Sequence, residues 1–301
     1  MENRWGFSMK LNYKKKIFLL IVFIVLVSVF TRVGLSYFSK PSVEEVEIKE
    51  FKDGETLENQ QQENASEIPI FVFHRIVNDD LYNAKYKNNK WVHSVSDFEE
   101  RMKMLYDRGY KTISLDEFYC WYREECQFPE KTAMVTIDDG DIDLYYEVLP
   151  ILKKYDLKAV SFIIGDTVTE ISGEYNPEIS GVFMSKQLME NTNSIYPNLE
   201  FASHTYGLHH KDSSGKEFAI VKSKEYMLED FKKEEFDFDY LAYPYGAYNQ
   251  DTIEAVKESG YKLAFAFRYP NYATRNDDPF EISRIRIEGT MGIYEFEKWL
   301  K

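Results

Sequence analysis

AMVTIDDG, residues 133–140, is a near-continuous apolar run that ends in two carboxylates and a glycine. Val, Thr and Ile are stiff at χ1 and favour extended backbone, and an apolar run without polar alternation describes a strand buried on both faces. The same pattern recurs in IFVFH (70–74), KAVSFII (158–164), LEFASH (199–204), YLAYP (240–244), LAFAF (263–267) and ISRIRI (282–287). Between these runs, amphipathic helical spacing fits 96–108, 115–124, 143–155, 185–193, 216–236 and 249–259. Buried strands separated by helices predict an α/β fold with a parallel sheet covered by helices, either a barrel or an open doubly wound sheet. No GxGxxG or phosphate-loop pattern follows any of the runs, which argues against a nucleotide-binding sheet. No internal repeat is visible.

In β/α barrels the chemistry sits where strands end and loops begin. The strand ends here carry His74, Asp138-Asp139, His204 and Tyr243-Pro244-Tyr245-Gly246. Adjacent strand residues face opposite ways, but a turn at Gly140 can bring both aspartates round one site. Two like charges that close are costly unless they share a cation or one is protonated. One metal ligand and one general base would satisfy that condition, although Asp-Asp-Gly is also ordinary loop composition. SHTYGLHH (203–210) holds three of the chain's five histidines. Imidazole with carboxylate is the donor set of Zn²⁺ and related divalent ions, and two His with one Asp leave positions open for water and substrate. His210 reads as a supporting or surface neighbour.

Charge divides the chain. Residues 1–16 hold Arg4, Lys10, Lys14, Lys15 and Lys16 against Glu2, a cap of +4 in a chain of net −14, which leaves −18 on the remainder. An acidic body without a Lys/Arg stripe lacks the footprint of a nucleic-acid binder. A hydrophobic fraction of 44% excludes a disordered protein, and two cysteines are too few for a disulfide-built scaffold. Residues 17–31 (IFLLIVFIVLVSVFT) are uncharged, and extending them to Phe38 gives a membrane-spanning length. The preceding basic flank would keep the N-terminus cytoplasmic and export the body. Residues 17–38 are thus expected to be a single-pass anchor, with a cleaved signal peptide and a secreted protein as the alternative. Residues 39–68 are polar and acidic and are expected to form a disordered tether, leaving 69–301 as the folded domain.

The ordered set TIDDG, SHTYGLHH and YPYG resembles the NodB-type polysaccharide deacetylases, carbohydrate esterase family 4, over essentially all of residues 69–301. The five-residue histidine spacing and the early IFVFHRI segment are most similar to its poly-N-acetylglucosamine deacetylases. The resemblance implies a distorted, incomplete (β/α) barrel and one divalent ion, Zn²⁺ first, with Co²⁺ or Ni²⁺ as alternatives. It implies metal ligation by Asp139, His204 and His209. It assigns Asp138 as the base that activates water, the Tyr245 backbone N–H to the oxyanion hole, and His74 as the acid. The chain departs from the family twice. The arginine that holds the base aspartate, two residues before the motif proline, is here Ala242; Arg284 or Arg286 can supply the charge, with Arg284 preferred. The C-terminal Leu-x-His motif is also missing, so the acid role depends on His74.

The implied function is N-deacetylation of a β-linked N-acetylglucosamine polymer at the cell surface. The alternatives are a peptidoglycan deacetylase, a xylan-type O-deacetylase and a non-catalytic glycan-binding module. The body's acidity suits a neutral substrate whose product becomes cationic as acetyl groups leave. Tyr206, Tyr243, Tyr248, Phe183 and Trp121 are candidates for stacking on sugar, though with 23 Tyr and 22 Phe most aromatics must be core. Trp91 and His93 read as surface packing in a polar loop. Cys120 and Cys126 can form a disulfide only if a helix ends between them, and two free thiols are the alternative.

Overall fold

The computed structural model describes residues 64–267 and 270–301. The basic cap, the anchor or signal segment at 17–38 and the tether as far as residue 63 lie outside the described residues. Among the described residues no helix is long and apolar enough to cross a membrane. The last part of the expected tether is instead folded. Ala65 and Ile68 are buried, and Glu67–Ile68 pairs antiparallel with Ala273–Thr274. Two apolar anchors within a polar tract suffice to dock it, which average composition conceals.

The strands are β1 (Ile70–Phe73), β2 (Thr132–Asp139), β3 (Ala159–Ile163), β4 (Leu199–Ser203), β5 (Tyr240–Ala242), β6 (Leu263–Ala266), β7 (Ile282–Ser283) and β8 (Ile285–Arg286). They run parallel in the order β7-β6-β5-β4-β3-β2-β1-β8. The two ends of this path are one chain segment. Phe265 is in register with Ile282, and Phe71 with Ile285. The expected single strand ISRIRI is therefore split at Arg284, and the split closes the sheet into a near-complete barrel. Lys111–Thr112 adds a short strand outside β2.

Alternation along the strands sorts the core into two layers. Ile70, Met134, Phe162, Ala202, Ala242, Phe265 and Ile282 share one buried cluster to which seven strands contribute, the barrel interior. Phe71, Val135, Ile163 and Ile285 belong to the outer layer beneath the helices. The helices are α1 (Val95–Asp107), α2 (Leu115–Tyr122), α3 (Leu149–Tyr155), α4 (Lys186–Ile195), α5 (Phe218–Val221), α6 (Lys224–Phe231) and α7 (Gln250–Glu258). Ser94, Ser114, Ser185, Ser223 and Asn249 cap α1, α2, α4, α6 and α7, each side chain accepting from a backbone N–H three residues on. The helix expected over 216–236 is broken because Ser223 starts a new one. α2 ends at Tyr122, so the chain turns back and Cys120 bonds Cys126 across 5.3 Å between Cα atoms.

Candidate metal centre

At the C-terminal ends of β1, β2, β4 and β5 the structure brings His74, Asp139, His204, His209 and Tyr245 round one cavity of ≈ 280 Å³. The backbone is strained to do so. Five described non-glycine residues have a left-handed backbone, and three of them, Asp139 (φ 78°), Thr205 (φ 68°) and Tyr245 (φ 59°), sit at these strand ends. Such conformations cost about 1–3 kcal/mol each and persist where the surroundings impose them. Gly140 makes the turn after the aspartates at φ 74°, and a Cβ there would lie 2.6 Å from Ile163 Cδ1. Only glycine serves at that point.

Asp139 Oδ1 lies 3.5 Å from His204 Nε2 and 3.2 Å from His209 Nε2. Two Zn–N/O bonds of about 2.0–2.1 Å at a tetrahedral angle put donor atoms roughly 3.4 Å apart, so this set fits a divalent ion. The buried Asp139 Oδ1 has no hydrogen-bond partner among the described residues, which leaves it to be satisfied by a cation. His204 Nδ1 donates to the Ala242 carbonyl at 2.9 Å, which fixes the tautomer and leaves Nε2 as the ligating atom. Burial drives the His204 pKa down to about 4, so the ring is neutral and able to ligate at pH 7. Burial opposes ionisation of Asp139 as well, but His209, His74 and His204 together hold its carboxyl well below the usual range.

Asp138 lies outside this ligand set and is fully enclosed. Arg284 grips it with two hydrogen bonds of 2.8 Å, Nη1 to Oδ1 and Nη2 to Oδ2, both side chains having no exposed surface. Arg284 therefore stands where Ala242 leaves a gap, its guanidinium lying over Phe162 and Phe267 at 5.2 and 5.7 Å. Arg286 goes elsewhere, to Glu288 and the Trp91 ring. Burial pushes the Asp138 carboxyl up, but Arg284 and His204 outweigh it and the group stays ionised.

His74 lines the cavity at the end of β1 with its ring edge-on to Trp91, centroids 4.7 Å apart. Burial lowers its pKa, partly countered by Asp139 and Asp138. The adjacent Arg75 anchors this strand end. Its Nε donates to Asp143 Oδ2 at 2.7 Å, and Tyr175 donates to Asp143 Oδ1 at 2.8 Å.

Several residues differ from their expected places. Trp91 is exposed, as expected, but also forms a wall of the cavity. His93 is wholly buried, bonded to Asp97 and the Ile287 carbonyl. Of the aromatic candidates, Tyr243 and Trp121 are core. Phe267 and Lys211, singled out by nothing in the sequence, line the cavity. His210 pairs with Asp166 at 2.8 Å, outside the ligand set.

Behind the histidine loop, Glu234 accepts from Ser203 Oγ at 2.9 Å while its other oxygen is buried without a partner. Burial first, then the nearby Asp230 and Asp166, push its pKa up to about 7. A carboxyl with a raised folded pKa contributes fully below the ordinary carboxylate range and loses that contribution as pH rises toward about 7. Glu234→Gln should therefore stabilise the protein by about 2 kcal/mol at alkaline pH and by almost nothing near pH 4, read from melting curves at the two pH values.

Four likenesses to known proteins bear on this chain. A family model described as polysaccharide deacetylase matches residues 126–264. A poly-β-1,6-N-acetyl-D-glucosamine N-deacetylase of Staphylococcus aureus is 31% identical over 219 residues, 68% of this chain and 71% of the relative. In fold, the chain is similar to the Streptococcus pyogenes deacetylase PplD in complex with acetate, with TM-score 0.64 at 22% identity over 78% of this chain and 98% of the other. It is also similar to IcaB from Ammonifex degensii, with TM-score 0.62 at 22% identity over 74% and 92%.

Proposed function

The chain belongs to the polysaccharide deacetylase family, and from that membership we propose that it removes N-acetyl groups from a β-1,6-linked N-acetylglucosamine polymer outside the cytoplasm, using one divalent ion. The observation that carries this reading is the single cavity in which Asp139, His204 and His209 fit an ion and His74 faces them, with the Arg284-held Asp138 next to Asp139 in the chain. The named Staphylococcus aureus relative supports the choice of polymer.

Asp139, His204 and His209 would hold one divalent ion, with Zn²⁺ the best match to these donors, and when bound it would supply Lewis acidity at the site. Asp138 accepts the proton from the attacking water. Its pairing with Arg284 keeps it ionised and fixed in direction, so no proton must be shed beforehand. The Tyr245 backbone N–H donates to the oxygen that becomes negative as the tetrahedral centre forms. His74, when it carries a proton, which its lowered pKa makes the minor form at neutral pH, gives that proton to the nitrogen, which cannot leave as an amide anion, and acetate departs. Intact residues at all these positions weigh against a non-catalytic module. The proposed setting is a membrane-tethered or secreted enzyme, from the basic cap and apolar run of residues 1–38.

The test is acetate release from β-1,6-linked N-acetylglucosamine oligomers and from peptidoglycan, with and without chelator. Release from the oligomers, lost with chelator and restored by Zn²⁺, is expected. Activity that survives chelation would remove the metal from the mechanism, and release only from peptidoglycan would reassign the substrate.

A further inference from the structure

The cavity wall carries one lysine. Apart from Asp139, which belongs to the ion, no carboxylate lines the cavity among the described residues, whereas Lys211 does. Its Nζ sits 4.5 Å from the centre of the Tyr245 ring, whose other neighbour is His209 with ring centroids 4.4 Å apart. Glu217 fixes the lysine there through an ion pair of 3.1 Å and a backbone bridge between the two residues, yet Glu217 does not line the cavity. The pair thus acts as a dipole with its positive end on the site. Arg286, over the Trp91 ring at 5.0 Å, is paired with Glu288 and does not line the cavity, and Asp138 is neutralised by Arg284. In a chain of net −14, Lys211 is thus the one Lys or Arg that lines the cavity among the described residues.

That placement matters because the reaction changes charge. Amide and water give amine and acetic acid, and at neutral pH the proton released by the acid is taken up by the amine. A primary amine with a pKa of roughly 8 is mostly ammonium at pH 7. The neutral acetamide therefore becomes a cation beside Lys211.

We propose that Lys211 is a specificity-determining residue that discriminates against units already deacetylated, at the reacting position or next to it, favouring product release and action on acetylated stretches. This rests on the polymer reading above. The acidic body still attracts the product over long range, so release from the site and retention at the surface are opposed.

Dissociation constants of fully acetylated and fully deacetylated β-1,6-linked hexamers, measured by calorimetry at about pH 6.5 with metal-loaded and metal-free protein, test it without relying on turnover. Lys211→Met keeps the aliphatic stem on Tyr245 and should tighten binding of the deacetylated hexamer about tenfold relative to the acetylated one. Lys211→Arg, which keeps the charge, should retain the wild-type ratio, and roughly 0.5 M salt should shrink the difference. An unchanged ratio in Lys211→Met, or an equal shift in Lys211→Arg, overturns the proposal while leaving the enzyme a deacetylase. A wild-type protein that neither binds nor deacetylates the acetylated hexamer overturns the polymer reading, and this inference with it.

Discussion

Asp138→Asn should lower kcat about 10³-fold while leaving metal affinity within a few-fold of wild type. The asymmetry follows from the partners of the two aspartates. Asp139 shares its Oδ1 with the two histidines, whereas Asp138 spends both oxygens on Arg284 and belongs to no ligand set. An amide at 138 can still accept from one guanidinium nitrogen but cannot take a proton from water. Arg284 is then left buried and half-paired, so a stability cost of about 2 kcal/mol is expected alongside the kinetic one. Rates must be read well below the variant's melting temperature. Metal titration of the same protein separates the roles: Asp139→Ala should lose ion affinity and activity together, Asp138→Asn activity alone. Near-normal turnover in Asp138→Asn would end its assignment as the base.

The parallel α/β sheet was legible because its strands are apolar on both faces, the choice of barrel over open sheet came from the family resemblance, and the candidate ligand cluster was legible because histidine and aspartate fall at strand ends in a fixed order. What the sequence hid has physical causes. ISRIRI alternates like one strand, and nothing in it says that its two halves pair with opposite ends of the sheet. That split places Arg284 beside Asp138, so the preference for Arg284 over Arg286 matches a geometry no pattern could have supplied. Ala242 looked like a loss, yet a small side chain is sufficient where the carbonyl is the functional atom, accepting from His204. His93 departs from its expected surface place because the polar stretch around it hides the strand Val92–Ser94, which pairs with Arg75–Val77. Pairing buries His93 and directs Trp91 to the cavity. Lys211 carried no signal, since a lysine after two histidines in a loop is unremarkable until its neighbours are known.

Arg284→Met should be the most damaging single change to stability, about 3 kcal/mol, and should shift the activity profile as well. Methionine fills much of the space against Phe162 and Phe267, so the loss is electrostatic rather than a cavity. In the wild type the Asp138 pKa is depressed, and the stability it contributes is present above the ordinary carboxylate range and lost only as pH falls through the lowered value. Without Arg284, burial, the largest influence on this group, prevails and raises the pKa. The sign then reverses: the variant is least stable at neutral and alkaline pH, where the carboxylate is buried without its partner, and recovers toward acid. A melting temperature lower by roughly 6–12 °C at pH 7, with a smaller deficit near pH 4, is the expected signature. The acid limb of kcat/KM should move upward in pH by the same cause, because the base must now lose a proton before it can act. Arg284→Lys keeps a charge but loses the two-pronged grip, and should fall between wild type and methionine in both measurements. A deficit independent of pH in Arg284→Met would mean that Arg284 holds the barrel seam between β7 and β8 by packing alone, and that Asp138 owes its ionisation to the histidines.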